Sequence, residues 1–275
     1  MSGCSHDCSS CGSGCGSAQE NMGIQKAPMN PQSNIKKVIG VVSGKGGVGK
    51  SSVTSMLATS LAKSGLKVAI LDADITGPSI PKAFGITEKA QGNDTLILPA
   101  VTELGIKVMS INLLLEDDTD PVAWRGPILG SVVEQFWTNV VWGDIDVMLV
   151  DMPPGTGDVA LTVYQSLPVD GIVIVTSPQQ LVSMIVEKAL KMADMMDIPV
   201  LGLVENMAYF KCPDCGGQHR IFGEGSCKEI ADKYGAAACT QLPMNLDVAK
   251  ACDSGKMEEI DCPELDDVVA QIKNL

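Results

Sequence analysis

The residues best able to do chemistry fall into three groups: a glycine–lysine loop, carboxylates that end apolar runs, and cysteines in two spacings. The loop is Ser43-Gly44-Lys45-Gly46-Gly47-Val48-Gly49-Lys50-Ser51-Ser52, and from Gly44 to Ser51 it fits G-x-x-x-x-G-K-[ST]. Glycines let the backbone curl so that successive N–H groups point inward. A following helix adds partial positive charge, Lys50 can reach the outer phosphates, and the Ser51 hydroxyl can ligate Mg²⁺. Gly44, Gly46 and Gly49 also fit the dinucleotide pattern G-x-G-x-x-G, with Asp72 at the distance of a ribose-binding acid. The Lys50-Ser51 pair decides for a mononucleotide, because a dinucleotide turn needs neither an ammonium nor a metal-binding hydroxyl there.

The carboxylates come at the ends of predicted buried strands. Lys67–Leu71 delivers Asp72 and Asp74, and Val147–Val150 delivers Asp151. Acids at the carboxyl edge of strands beside a phosphate loop can bind Mg²⁺ or orient an attacking water. Asp151 is the expected Mg²⁺ acid, with Ser51, and Asp72 is a weaker candidate for the same metal. Met152-Pro153-Pro154-Gly155-Thr156-Gly157-Asp158 follows Asp151. Its glycines suit a switch loop, with Gly155 and Asp158 as its markers.

Cys4, Cys8, Cys11 and Cys15 form C-x3-C-x2-C-x3-C within a Ser/Gly-rich stretch. Four thiolates on such a backbone can close around Zn²⁺ or an iron–sulfur cluster, and the spacing does not separate the two. Cys212 and Cys215 form C-x2-C followed by two glycines, the shape of a metal knuckle. One pair supplies half of a four-ligand site. The rest can come from other cysteines of the chain, from the N-terminal group, or from the same pair on a symmetry mate. Cys227, Cys239, Cys252 and Cys262 have no metal spacing and read as small core or surface residues.

These groups need a scaffold, and the hydrophobic pattern describes one. Val38–Val42, Lys67–Leu71, Val147–Asp151, Gly171–Thr176, Pro199–Val204 and Ala237–Pro243 read as strands, the fifth ending at Glu205-Asn206-Met207. Asn206 at that edge is placed to meet a nucleotide base or to make an asparagine turn. Helices are expected at Ser52–Lys63, from Pro127 to about Trp142, at Val182–Met196, at Glu224–Tyr234 and at Pro263–Asn274. Arg125, just before Pro127, can reach a phosphate or lie at a surface. Thr95–Leu98 and Ile106–Ile111 read as strands around a hairpin. Strand–helix alternation predicts a doubly wound α/β fold with a mostly parallel sheet over residues 35–275. Residues 1–34 form a cysteine-rich tail whose Pro28–Asn34 reads as a linker.

The 275 residues are 45% hydrophobic, enough for a sizeable core. Asp+Glu at 33 against Lys+Arg at 20 leaves a net charge of −13, which speaks against nucleic acid and against anionic membranes as partners. No secretory signal or membrane-length apolar run is visible, so a cytoplasmic chain is expected, and ten cysteines then mean metal or redox chemistry rather than a disulfide framework.

The string GKGGVGKSS resembles the deviant Walker A loop of the MinD/ParA/nitrogenase-iron-protein class. That resemblance implies a homodimer in which Lys45 touches the partner's nucleotide, and in which Asp74 positions the lytic water. GKGGVGKSS, DADITGPSIP, WRGP, DMPPGTGD, ENM and CPDCGG, in that order, resemble the Mrp (ApbC-like) family of iron–sulfur cluster carrier ATPases. The resemblance implies ATP at a dimer interface, a [4Fe–4S] cluster held by Cys212 and Cys215 of both protomers, and apo iron–sulfur proteins as acceptors. Three other readings stay open: a positioning or partitioning ATPase, a nitrogenase-like electron donor, and a zinc scaffold. The acidic C-terminal segment speaks against the first, and the C-x2-C spacing against the second.

Overall fold

The computed structural model describes residues 26–275 apart from 76, 78, 94, 95, 116–125, 156 and 179. Cys4, Cys8, Cys11, Cys15 and Arg125 therefore lie outside the described residues. The central sheet contains seven parallel strands: β1 (Val38–Ser43), β2 (Val68–Asp72), β3 (Lys107–Met109), β4 (Val147–Asp151), β5 (Gly171–Thr176), β6 (Val200–Lys211) and β7 (Cys239–Met244). Their spatial order is β7-β6-β5-β1-β4-β2-β3. The predicted doubly wound architecture is thus the observed one. Alternate residues of each strand feed two separate cores. Val42, Leu71, Val150 and Ile174 point to one face, and Val41, Ile70, Leu149 and Val175 to the other.

The main helices are α1 (Lys50–Lys63), α2 (Gly126–Asn139), α3 (Asp158–Ser166), α4 (Gln180–Met195), α5 (Cys227–Tyr234), α6 (Leu246–Ser254) and α7 (Asp266–Asn274). Helices pack on both faces of the sheet, as strands with near-continuous apolar runs require. No helix among the described residues is long and apolar enough to cross a membrane.

Four details depart from the sequence reading. Residues 28–34 are not a free linker. Trp137 Nε1 donates to Ala27 O at 3.0 Å, Asn30 Nδ2 donates to Thr138 O at 3.1 Å, and Asn34–Ile35 pairs with Asp144–Ile145. Polar groups that look unpartnered in this stretch find their partners on α2 and in a separate two-stranded ladder. The hairpin into β3 starts at Ala100–Val101, while Ile97–Leu98 pairs with Gln91–Gly92. Pro99 separates the two ladders, since it has no N–H to donate. Strand β6 does not end at Glu205-Asn206-Met207 but runs on to Lys211. Helix α6, unforeseen, is capped by Asn245, whose side chain accepts the Asp247 N–H, and closes at Gly255 in the left-handed region.

Among the four cysteines without metal spacing, the structure joins Cys227, at the start of α5, to Cys239 of β7, with Cα atoms 6.3 Å apart. Cys252 and Cys262 are free thiols.

Candidate nucleotide site and cysteine hairpin

Three neighbouring strands, β1, β4 and β2, bring the predicted groups to one edge. Strand β1 runs into the glycine loop and α1. Asp151 ends β4 and Asp72 ends β2, and the two are direct register partners. Gly47 and Gly49 have φ of 81° and 80°, backbone that favours glycine and turns the amides inward. A Cβ at Gly46 or Gly47 would meet nothing within 4 Å, so no neighbouring atom crowds the loop at these positions. Lys45, Gly46, Gly47, Gly49, Lys50 and Asp74 line a cavity of about 240 Å³ there.

Lys50 is 5% exposed and stands 2.7 Å from Asp151 Oδ1 and 3.5 Å from Asp74 Oδ2. The contact with Asp151 is ionic without aligned hydrogen-bond geometry, which leaves the ammonium protons for another acceptor. Ser51 Oγ donates to Asp151 Oδ2 at 2.5 Å, and Thr54 Oγ1 donates to Asp151 Oδ1 at 2.9 Å. Thr54 joins the site without having been foreseen. Its signal is its place one helical turn after Lys50, whose carbonyl, at 3.0 Å, shares the same hydroxyl proton with Asp151.

Asp72 is fully buried, accepts from Ser110 Oγ at 2.9 Å and from the Asp74 N–H at 3.2 Å, and faces Asp151 across the ladder. Burial, reinforced by the negative charge of Asp151, pushes its carboxyl up to about 8. The switch segment is tied to the loop strand: the Gly155 N–H donates to Ser43 O at 2.8 Å, with Gly155 at φ 88°. Asp158 opens α3, and its side chain is not among those described.

The donor set fits its expected ligands. Ser51, Asp151 and Asp72 are hard oxygen donors of the kind Mg²⁺ prefers. The under-bonded Lys50 ammonium and the open amide cradle suit phosphate.

Beside the loop, a second cavity of about 310 Å³ is lined by Gly47, Gly49, Asn206, Pro243, Val248 and Cys262, among others. Helix α6 forms one wall. Burial pushes the Cys262 thiol up to about 12, so it is an inert wall residue. Asn206 lines this cavity, but its Nδ2 donates to Val48 O at 3.0 Å and its Oδ1 accepts the Met207 N–H at 3.0 Å.

At the far end of β6, Phe210 and Lys211 pair antiparallel with His219 and Gln218. The turn between them is the cysteine pair. The Cys212 N–H donates to Gly217 O at 2.8 Å and the Gly216 N–H to Cys212 O at 2.9 Å, with Gly216 at φ 70°. The backbone N–H of Cys215, then that of Asp214, points at the Cys212 sulfur and holds its thiol below the usual range. Cys215 is exposed and Cys212 half-buried. Among the described residues, no group of three or more His, Cys, Asp or Glu could hold a metal, so these two thiols stand as a pair.

The chain is 52% identical over 234 residues to an iron-sulfur cluster carrier protein of Clostridium perfringens, covering 82% of each chain. It is 41% identical to one from Methanocaldococcus jannaschii, over 100% of this chain and 97% of that one. A solved nucleotide-binding protein from Archaeoglobus fulgidus, in complex with ADP, shares 46% identity and superposes with a TM-score of 0.76, covering 84% of this chain and 91% of that one. The MinC:MinD complex of Aquifex aeolicus, at 20% identity, TM-score 0.61 and coverage of 86% of this chain and 95% of that one, shares the fold. Residues 34–274 match the family described as ParA: NUBPL iron-transfer P-loop NTPase, and the chain belongs to that family.

Proposed function

We propose that this chain is an ATP-dependent iron–sulfur cluster carrier. Two copies hold a [4Fe–4S] cluster between their Cys212 and Cys215 pairs and pass it to apo iron–sulfur proteins. The observation that carries the reading is the C-x2-C hairpin, with Cys215 exposed, at the end of the same strand whose Asn206 donates to Val48 O of the phosphate loop. Two thiols per chain and a four-ligand cluster make a two-fold pair the economical completion.

In the nucleotide site, the amides of Gly44 to Ser52 hold the phosphates. Lys50 exchanges its contact with Asp151 for the outer phosphate oxygens. Ser51 and Asp151, with Asp72 behind them, would hold Mg²⁺, which when bound neutralises charge building on the phosphates. Asp74 orients a water toward the γ-phosphorus and takes its proton as the new P–O bond forms and the bond to the bridging oxygen of ADP breaks. Lys45 reaches across to the nucleotide of the other copy. Loss of the γ-phosphate frees the Gly155 segment, and that change loosens the cluster for transfer.

The test is anaerobic reconstitution followed by iron, sulfide and zinc analysis, with the oligomeric state measured alongside. A chain with Cys4, Cys8, Cys11 and Cys15 changed to Ser, so that only the hairpin thiols are read, should carry one four-iron cluster per dimer and activate an apo-acceptor, and the variants that follow are made in it. Cys212→Ser and Cys215→Ser should each lose the cluster. A cluster retained by the double variant, or zinc in place of iron, overturns the proposal.

A further inference from the structure

Glu205 and Asn206 are consecutive on β6, so their side chains leave opposite faces of the strand. Asn206 bonds the phosphate loop through Val48 O. Glu205 is 1% exposed, and it bonds the other way, toward the cysteine hairpin. Its Oε1 accepts the Ser226 N–H at 3.0 Å, and its Oε2 accepts Gln241 Nε2 at 2.5 Å. Gly225, at φ 77°, lies so close that a Cβ there would strike the Glu205 carboxylate. Arg220 extends the network, its Nη2 donating to Gln241 Oε1 at 3.1 Å.

Residues 220–226 continue the hairpin's return strand, Gln218–His219, toward α5. Strand β6 is the hairpin's outgoing limb. Both limbs are therefore fastened at residues 205 and 206, one bond away from the phosphate loop. At the same place the strand is irregular: Met207 has φ 57°, and the pairing with β7 shifts between Glu205 and Tyr209. A bulge re-aims whatever lies beyond it, and a non-glycine residue at positive φ persists only where its surroundings hold it. A buried carboxylate that accepts a backbone N–H and a side-chain amide is costly to leave half-satisfied, so Glu205 holds this kink rigidly.

We infer that Glu205 is a positioning residue that makes nucleotide occupancy felt at Cys212 and Cys215. Motion of Val48 is passed to Asn206, and the bonds of Glu205 make the return limb follow the outgoing one, so the two thiols move as a unit. This rests on the proposed link between ATP and the cysteine pair. It adds the residue through which the link runs.

The readout is the alkylation rate of Cys212 and Cys215 in the cluster-free chain, resolved by peptide mass spectrometry, with and without Mg²⁺ and a non-hydrolysable ATP analogue. In wild type the nucleotide should change the rate by about fivefold or more, the lower end of ordinary coupling. Glu205→Gln turns an amide toward the Gln241 amide and should bring the ratio to one while leaving nucleotide affinity unchanged. Adding Gln241→Glu exchanges donor and acceptor and should restore the ratio. Arg220→Ala, milder for folding, should lower it.

A wild-type ratio of one removes the ATP–cysteine link itself, and this inference with it. A normal ratio in Glu205→Gln overturns the role of Glu205 alone, as does failure of the swapped pair to restore a lost ratio. Should Glu205→Gln not fold, an unchanged ratio in Arg220→Ala overturns it.

Discussion

Asp72 and Asp151 face each other across a buried ladder, with one ammonium, Lys50, near them. Burial, with the negative charge of Asp151 beside it, lets Asp72 keep its proton up to about 8. Its folded-state value lies above the ordinary 3.8, so the folded chain binds more protons than the unfolded chain between those limits. The contribution of Asp72 to stability is therefore full at acid pH and is lost as pH rises toward 8. In protein freed of Mg²⁺ and nucleotide, wild type should lose melting temperature between about pH 5 and 8 more steeply than Asp72→Asn, which mimics the protonated acid. Parallel melting curves for the two proteins would contradict this assignment. The acid was readable in the sequence from its place at a strand end. Its proton was not, because that depends on the strand brought alongside.

At the scale of elements, the phosphate loop is held from both sides. Gly49 sits at φ 80° between strand β1 and helix α1, and the Asn206 amide fills the space where a side chain would go. Gly49→Ala therefore meets two obstacles at once. The left-handed backbone alone should cost about 1–2 kcal/mol in denaturant unfolding. Displacement of Asn206 should in addition weaken nucleotide binding in a fluorescence titration. Unchanged affinity would mean that Asn206 does not brace the loop. Glycine types and spacing marked this loop from the outset. The brace could not be read from them, since Asn206 lies 158 residues away along the chain. Strand β6 was cut short for a related reason. Glu-Asn in an apolar run reads as a turn, and only Ser226 and Gln241 make a buried glutamate tolerable there. Helix α6 did have a local signal, Asn245 at its start and Gly255 at its end, with Val248, Ala251 and Cys252 at helical spacing.

At the scale of the whole molecule, the proposed catalytic unit is a pair of chains. If Lys45 acts on the partner's nucleotide while Asp74 acts on its own, Lys45→Ala and Asp74→Ala are each inactive alone. Mixed in equal amounts, half of the dimers combine one chain of each kind. Each such dimer regains one complete site of its two, so about a quarter of wild-type ATPase activity should return. No recovery on mixing, after subunit exchange has been verified, would place both residues in the same site. The net charge of −13 is spread over a chain whose proposed contacts are a nucleotide, a cluster and another copy. Pairing such acidic chains meets repulsion at long range, so the dimer dissociation constant, measured by analytical ultracentrifugation, should fall as salt is raised.

The sequence by itself determined the chemistry within short windows: a phosphate loop between a strand and a helix, acids at strand ends, and two thiols in a knuckle. Those features depend on residues within a turn or two of one another, where spacing and backbone preference act directly. The tertiary structure decided which distant groups meet. It set Asp72 against Asp151, walled the cavity beside the phosphate loop with α6, docked residues 26–36, and fastened the cysteine hairpin to Glu205. The physical reason is the strand order β7-β6-β5-β1-β4-β2-β3. Neighbours in that sheet are chosen by packing of both faces at once, and a buried polar group is stable only beside the partner that this order supplies.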